Sequence, residues 1–107
     1  MNKLKIDERV CVAVVCTGHV TARDAELIPC LVWDNYRERG EFWISSTAYG
    51  WLFRICALPE EWENILEEKG ISSEGIANMK RLEADGYDWL HFQSDAPIVE
   101  GLHHWDW

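Results

Sequence analysis

Apolar and polar positions divide the chain into short elements. Val10 to Cys16 (VCVAVVC) is an unbroken apolar run rich in β-branched residues, which predicts a strand buried on both faces and central in a sheet. Thr21 with Asp24 three residues on approximates a capping box, and the apolar spacing through Leu27, Leu31, Val32 and Tyr36 predicts a helix that ends near Arg39, with Gly40 as its stop. Pro29 lies inside that pattern and predicts a kink. Glu41 to Ser45 and Gly50 to Cys56 are aromatic and β-branched, joined by the turn-prone Ser46 to Tyr49, which predicts a β-hairpin. Pro59 opens a short helix with an apolar stripe of Trp62, Ile65 and Leu66, closed by Gly70. Ser72 or Ser73 caps a further helix in which Ile76, Met79 and Leu82 recur, ended by Gly86. Finally Tyr87 to Gln93 alternates, with Leu90 and Phe92 on one face and Tyr87, Trp89 and His91 on the other.

The order β-α-β-β-α-α-β predicts an α+β fold with a ferredoxin-like split βαβ arrangement: a four-stranded, mostly antiparallel sheet with helices on one face. A first strand apolar on both sides conflicts with a solvated open face. The expectation is therefore that the tail from Pro97 to Trp107 folds over that face, or that a second copy covers it as a homodimer. Residues 1–107 are expected to form a single domain, since no repeat, linker or low-complexity stretch interrupts them. Tyr87 to Trp107 packs three tryptophans, three histidines and four carboxylates into 21 residues. So many large rings predict a docked or docking segment rather than a loose end.

Charge changes the picture further. The net charge of −9 sits wholly in the second half, where residues 57–107 hold three Lys/Arg against twelve Asp/Glu. Such a field repels nucleic acid and anionic membranes and favours a protein partner with a basic surface. No stretch approaches the ~20 apolar residues of a membrane span, and the lysines before the first apolar run do not make a secretory signal, so the expected compartment is the cytoplasm. Cys11, Cys16, Cys30 and Cys56 form no C-x-x-C pair and are expected to be buried free thiols.

Candidate chemistry is sparse. Cys16-Thr17-Gly18-His19 follows a strand and precedes a helix, where ligands often meet α/β sheets. A cysteine with a histidine three residues on could be a thiolate and its base, although adjacency in sequence rarely gives the geometry. His19, His91, Asp95 and His103 carry the residue types of a zinc-like site without a diagnostic spacing, and no cofactor is expected. Trp43, Tyr87, Trp89 and His91 could line one sheet face as a base-stacking platform, but the positive charge that such platforms need is missing. Phosphate loops and nucleophile elbows are absent from the sequence.

Thr17-Gly18-His19-Val20-Thr21 after a strand, Tyr49-Gly50-Trp51 in the middle, and Asp88-Trp89, Phe92, Asp95, Pro97, Gly101-Leu102 and Trp105 to Trp107 at the end resemble a family of small uncharacterised proteins encoded on bacterial plasmids and integrative elements. Cys16, where Ser is usual, Gly18 in place of Ala, and Gln93, where an acid is common, depart from that pattern. Gln93 weakens any pairing of carboxylates there. The resemblance implies no catalytic residue. It implies a genetic setting in which a small acidic protein acts as an accessory factor on a host defence or regulatory complex, as an anti-CRISPR or antirestriction protein does. The expected function is thus non-enzymatic binding through Glu60, Glu61, Glu63, Glu67 and Glu68, with Trp89 and Trp105 as aromatic anchors. The alternative is a small metal-assisted hydrolase or ligand-binding enzyme using His19, His91, Asp95 and His103.

Overall fold

In the computed structural model, which describes residues 3–39, 43–55 and 61–107, the chain runs through β1 (Val12–Cys16), a single 3-10 turn (Thr17–His19), α1 (Ala22–Arg39), β2 (Ile44–Thr47), β3 (Gly50–Phe53), α2 (Trp62–Glu68), α3 (Ser73–Ala84) and β4 (Trp89–Gln93). The fold is α+β. Its four-stranded sheet has the order β1-β4-β3-β2, with β1 parallel to β4 and the β3–β4 and β2–β3 pairs antiparallel. β1 and β2, joined by α1, run in the same direction with two strands between them. The last strand thus enters the middle of the sheet.

That placement corrects the expectation for β1, which is an edge strand and not a central one. Ala13 and Val15 are buried, whereas Val12 and Val14 remain 38% and 47% exposed. Across the register the buried side continues through Leu90 and Phe92 to Phe53 and Ile44. All three helices cover this side, their Ile28, Leu31, Trp62, Leu66, Met79 and Leu82 joining the strand residues in one core. Phe53 and Phe92 meet edge to face, with centroids 5.5 Å apart, a favoured arrangement of ring quadrupoles. Trp43 is buried in the core and packs on Phe53, so it takes no part in a base-stacking platform with Tyr87, Trp89 and His91.

Pro29 stays within one continuous helix. It lies on the exposed side, where the carbonyl it leaves without a donor can be met by water. The thiols of Cys11 and Cys30 are exposed and that of Cys16 is half-buried, so none of these three is the buried thiol expected. Cys56, Gly40, Glu41, Phe42, Pro59 and Glu60, to which the sequence reading gave roles, lie outside the described residues.

A single carboxylate joins two helix starts. Asp24, fully buried, accepts from the Thr21 N–H at 3.0 Å, while the Asp24 N–H donates to Thr21 Oγ1 at 3.0 Å, which completes the reciprocal cap of α1. The same carboxylate accepts from the Ser72 N–H (2.8 Å) and the Ser72 hydroxyl (2.6 Å). Ser72 in turn caps α3 by accepting from the Gly75 N–H at 3.0 Å. A Cβ at Gly75 would stand 2.8 Å from Asp24 Oδ2, so only glycine lets the first turn of α3 come this close.

Candidate functional site

β1 and β4 end side by side at Cys16 and Gln93, and the chain turns there into the 3-10 turn after β1 and a turn at Ser94 to Ala96 after β4. The β2–β3 hairpin closes on the same end. Gly50 sits opposite Gln93, and a Cβ on it would lie 1.9 Å from the Phe92 carbonyl oxygen. Glycine is therefore required for β3 to pair with β4 here. The Ser94 N–H donates to the Tyr49 carbonyl at 2.9 Å, which fixes the hairpin turn against the end of β4.

The tail is fastened to this end by buried polar groups. Nδ1 of the fully buried His19 lies 2.8 Å from the His103 carbonyl, and the Val99 N–H donates to His19 Nε2 at 2.9 Å. A ring nitrogen that accepts an N–H carries no proton, so Nδ1 holds the proton and donates it. Asn78, buried on α3, donates through Nδ2 to the His19 and His103 carbonyls at 2.8 and 2.9 Å and accepts the His103 N–H at 2.9 Å. The Cys16 N–H donates to the Pro97 carbonyl, the Trp105 N–H to the Gly18 carbonyl, and the Trp107 indole N–H to the Val20 carbonyl. Val99 and Leu102 pack on the core. The tail thus runs past the end of β1 and against α3, on the helical side. It does not fold over the open face, where Val12, Val14, Leu52, Trp89 and His91 remain partly or largely exposed.

These contacts decide most of the proposed chemistry. His19 has both ring nitrogens committed to backbone groups, so it can neither ligate a metal nor serve Cys16 as a base. The Cys16 sulfur instead accepts the Gly18 N–H at 3.4 Å. His91 lies within β4 on the open face, Asp95 accepts from Gln93 Nε2 at 2.6 Å, and the His103 ring is stacked on Trp105. The structure does not gather His19, His91, Asp95 and His103, and no group of three or more His, Cys, Asp or Glu able to hold a metal forms among the described residues.

The acidic residues fall on a different surface. Glu61, at the start of α2, and Glu67 and Glu68 within it are exposed, whereas Glu63 is half-buried and pairs with Lys80 at 3.3 Å. Trp89 is on the far side of the sheet from α2 and so does not share a surface with those glutamates, and Trp105 is held in the tail, its N–H donating to the Gly18 carbonyl. Sequence reasoning missed Asn78. Its signal was a polar residue within the apolar stripe of α3, four before Leu82, where an unpaired amide would be costly.

The blocks Thr17 to Thr21 and Tyr49 to Trp51 and the segment that follows β4 therefore meet at one end of the sheet, while Asp88 and Trp89 lie at its other end beside Cys11 and Val12. A family model described as the C-terminal domain of a family of unknown function, DUF5983, matches residues 12–107. The chain belongs to the DUF5983 family. The match starts at the first residue of β1 and takes in every described element, so the whole of this fold is the DUF5983 C-terminal domain. No curated protein and no solved structure matches it. Among the described residues of this DUF5983 domain, no helix is long and apolar enough to cross a membrane.

Proposed function

We propose that the protein is a non-enzymatic acidic binding module that captures a protein partner through a basic surface, with α2 as the contact. One observation carries the reading: Glu61, Glu67 and Glu68 are exposed and have no cationic partner among the described residues. The three basic residues of the second half are engaged elsewhere, Lys69 with Asp34 and Glu38 of α1, Lys80 with Glu63, and Arg81 with Asp85. Trp62, Ile65 and Leu66 anchor the helix from below, so the carboxylates sit on a fixed support. Asn64, Glu67 and Glu68 line a shallow depression of about 430 Å³ that would seat an Arg or Lys side chain.

The resemblance of the chain's sequence motifs to proteins of plasmids and integrative elements extends the proposal to the partner: a host defence complex whose nucleic-acid-binding surface is basic, blocked as an anti-CRISPR or antirestriction protein blocks it. Charge of this kind governs encounter rate and specificity more than affinity, and it weakens with salt. The triple variant Glu61→Lys, Glu67→Lys, Glu68→Lys is expected to keep its thermal unfolding temperature within a few degrees, because exposed charges contribute about 0–1 kcal/mol each. In affinity capture from nuclease-treated bacterial lysate, a protein retained by the native chain at low salt should be lost both at high salt and with the triple variant. Equal retention by the two chains would remove the electrostatic basis of the proposal.

A further inference from the structure

The end of the sheet at Cys16 and Gln93 holds an open, shallow cleft of about 350 Å³, at the lower end of the range of small-molecule sites, ~300–1,000 Å³. Its wall carries four hydroxyl residues, Thr17, Ser46, Thr47 and Ser94, drawn from the 3-10 turn, β2 and the turn after β4. No charged side chain lines it among the described residues. Tyr49, Trp51 and Trp107 supply aromatic surface. Tyr49 and Trp107 stay 65% and 57% exposed and pack on no other ring among the described residues, yet the Trp107 indole is held in place by its bond to the Val20 carbonyl at 2.9 Å. Large rings left in water on a fixed support offer stacking surface at little cost in conformational freedom. Thr47 adds a second sign, because its hydroxyl, buried beneath this wall, has no hydrogen-bond partner among the described residues. A buried hydroxyl left unmatched is unusual in a folded protein and marks a place where a ligand or ordered water completes the network.

The lining chemistry selects the class of occupant. Phosphates and carboxylates would need a cation, and the cavity has none. A nucleobase edge presents fixed donors and acceptors that are read most specifically by bidentate amide, carboxylate or guanidinium groups, and none of these side chains lines the wall among the described residues. Hydroxyls donate and accept alike, and so match a ligand whose own groups are hydroxyls, while aromatic faces suit the flat C–H face of a pyranose or furanose ring. We infer that this cavity is a binding site for a neutral sugar ring, free or at the end of a glycan. A second depression of about 380 Å³ adjoins it, sharing Thr17, Ser94 and Trp107 and continuing to His104 and Asp106, which leaves room for a second ring.

The test is a titration of the ¹⁵N-labelled full chain with D-glucose, D-galactose, D-ribose and N-acetylglucosamine, and in parallel with adenosine and uridine, up to about 50 mM to reach millimolar affinities. At least one sugar is expected to move the Trp107 indole N–H and the Gly50 and Ser94 amides saturably. Trp107→Ala and Thr47→Val should each weaken that affinity about tenfold, a loss typical of one stacking or hydrogen-bonding contact. Thr47→Val should leave the unfolding temperature unchanged or raised, because it removes a hydroxyl that has no partner among the described residues. No saturable shift with any sugar, shifts with the nucleosides alone, or sugar binding unweakened in Thr47→Val would each overturn the assignment.

Discussion

Replacing Asp24 with alanine is expected to lower the unfolding free energy by about 3 kcal/mol, a loss of roughly 10–20 °C in Tm for a domain of this size. The carboxylate is fully buried with no cationic partner among the described residues, and it is tolerated there because three donors from two helix starts point at it. Both helix N-termini also present the positive ends of their dipoles to it. Truncation leaves the Thr21 and Ser72 amides short of an acceptor and lets the starts of α1 and α3 part. Asp24→Asn keeps the shape but replaces one acceptor with a donor facing Ser72, so it should fall between the native chain and the alanine variant. Chemical denaturation of the three proteins measures this directly. A cost below about 1 kcal/mol for Asp24→Ala, the size of one ordinary cap, would mean that the two helices are not coupled through this group.

Asn78→Ala is expected to cost about 2–4 kcal/mol and, more specifically, to release the tail. One amide side chain satisfies the His103 N–H, the His103 carbonyl and the His19 carbonyl, and alanine would leave all three without that partner. Asn78→Asp should be as damaging, since a carboxylate can still accept from His103 but would press a negative charge against two carbonyl oxygens. Hydrogen exchange separates loosening of the tail from general instability. The Val99, His103 and Trp105 amides should lose protection in both variants well before the β4 amides do. Loss of protection spread evenly through the sheet would show that Asn78 supports the core and not the tail.

Local structure was legible in the sequence where it is locally determined. The Thr21–Asp24 cap, the Ser72 cap, the hairpin and the alternation of Leu90 and Phe92 all depend on neighbours within a few residues, and all are present. The position of β1 was not legible, because VCVAVVC is apolar on both faces and gives no alternation from which to tell a central strand from an edge. The sheet order depends on β4 entering between β1 and β3, a pairing across more than seventy residues that no local pattern encodes. The composition of the tail announced that it docks, but not where. That was settled by His19 and Asn78, which meet only once α3 has packed on the sheet. The candidate site suffered most from this gap. Its histidines read as chemistry because ligating and hydrogen-bonding imidazoles look alike in a sequence, and only the geometry shows both nitrogens of His19 committed to backbone groups.

The view that this histidine-rich, tryptophan-rich end is a fastened support for binding surfaces, and not reactive machinery, is tested most directly by the ¹⁵N chemical shifts of the His19 ring with and without added Zn²⁺. The expected result is a ring protonated at Nδ1 with a bare, hydrogen-bonded Nε2, unchanged by the metal. A ring protonated at Nε2, or shifts that follow stoichiometric Zn²⁺ binding, would contradict it.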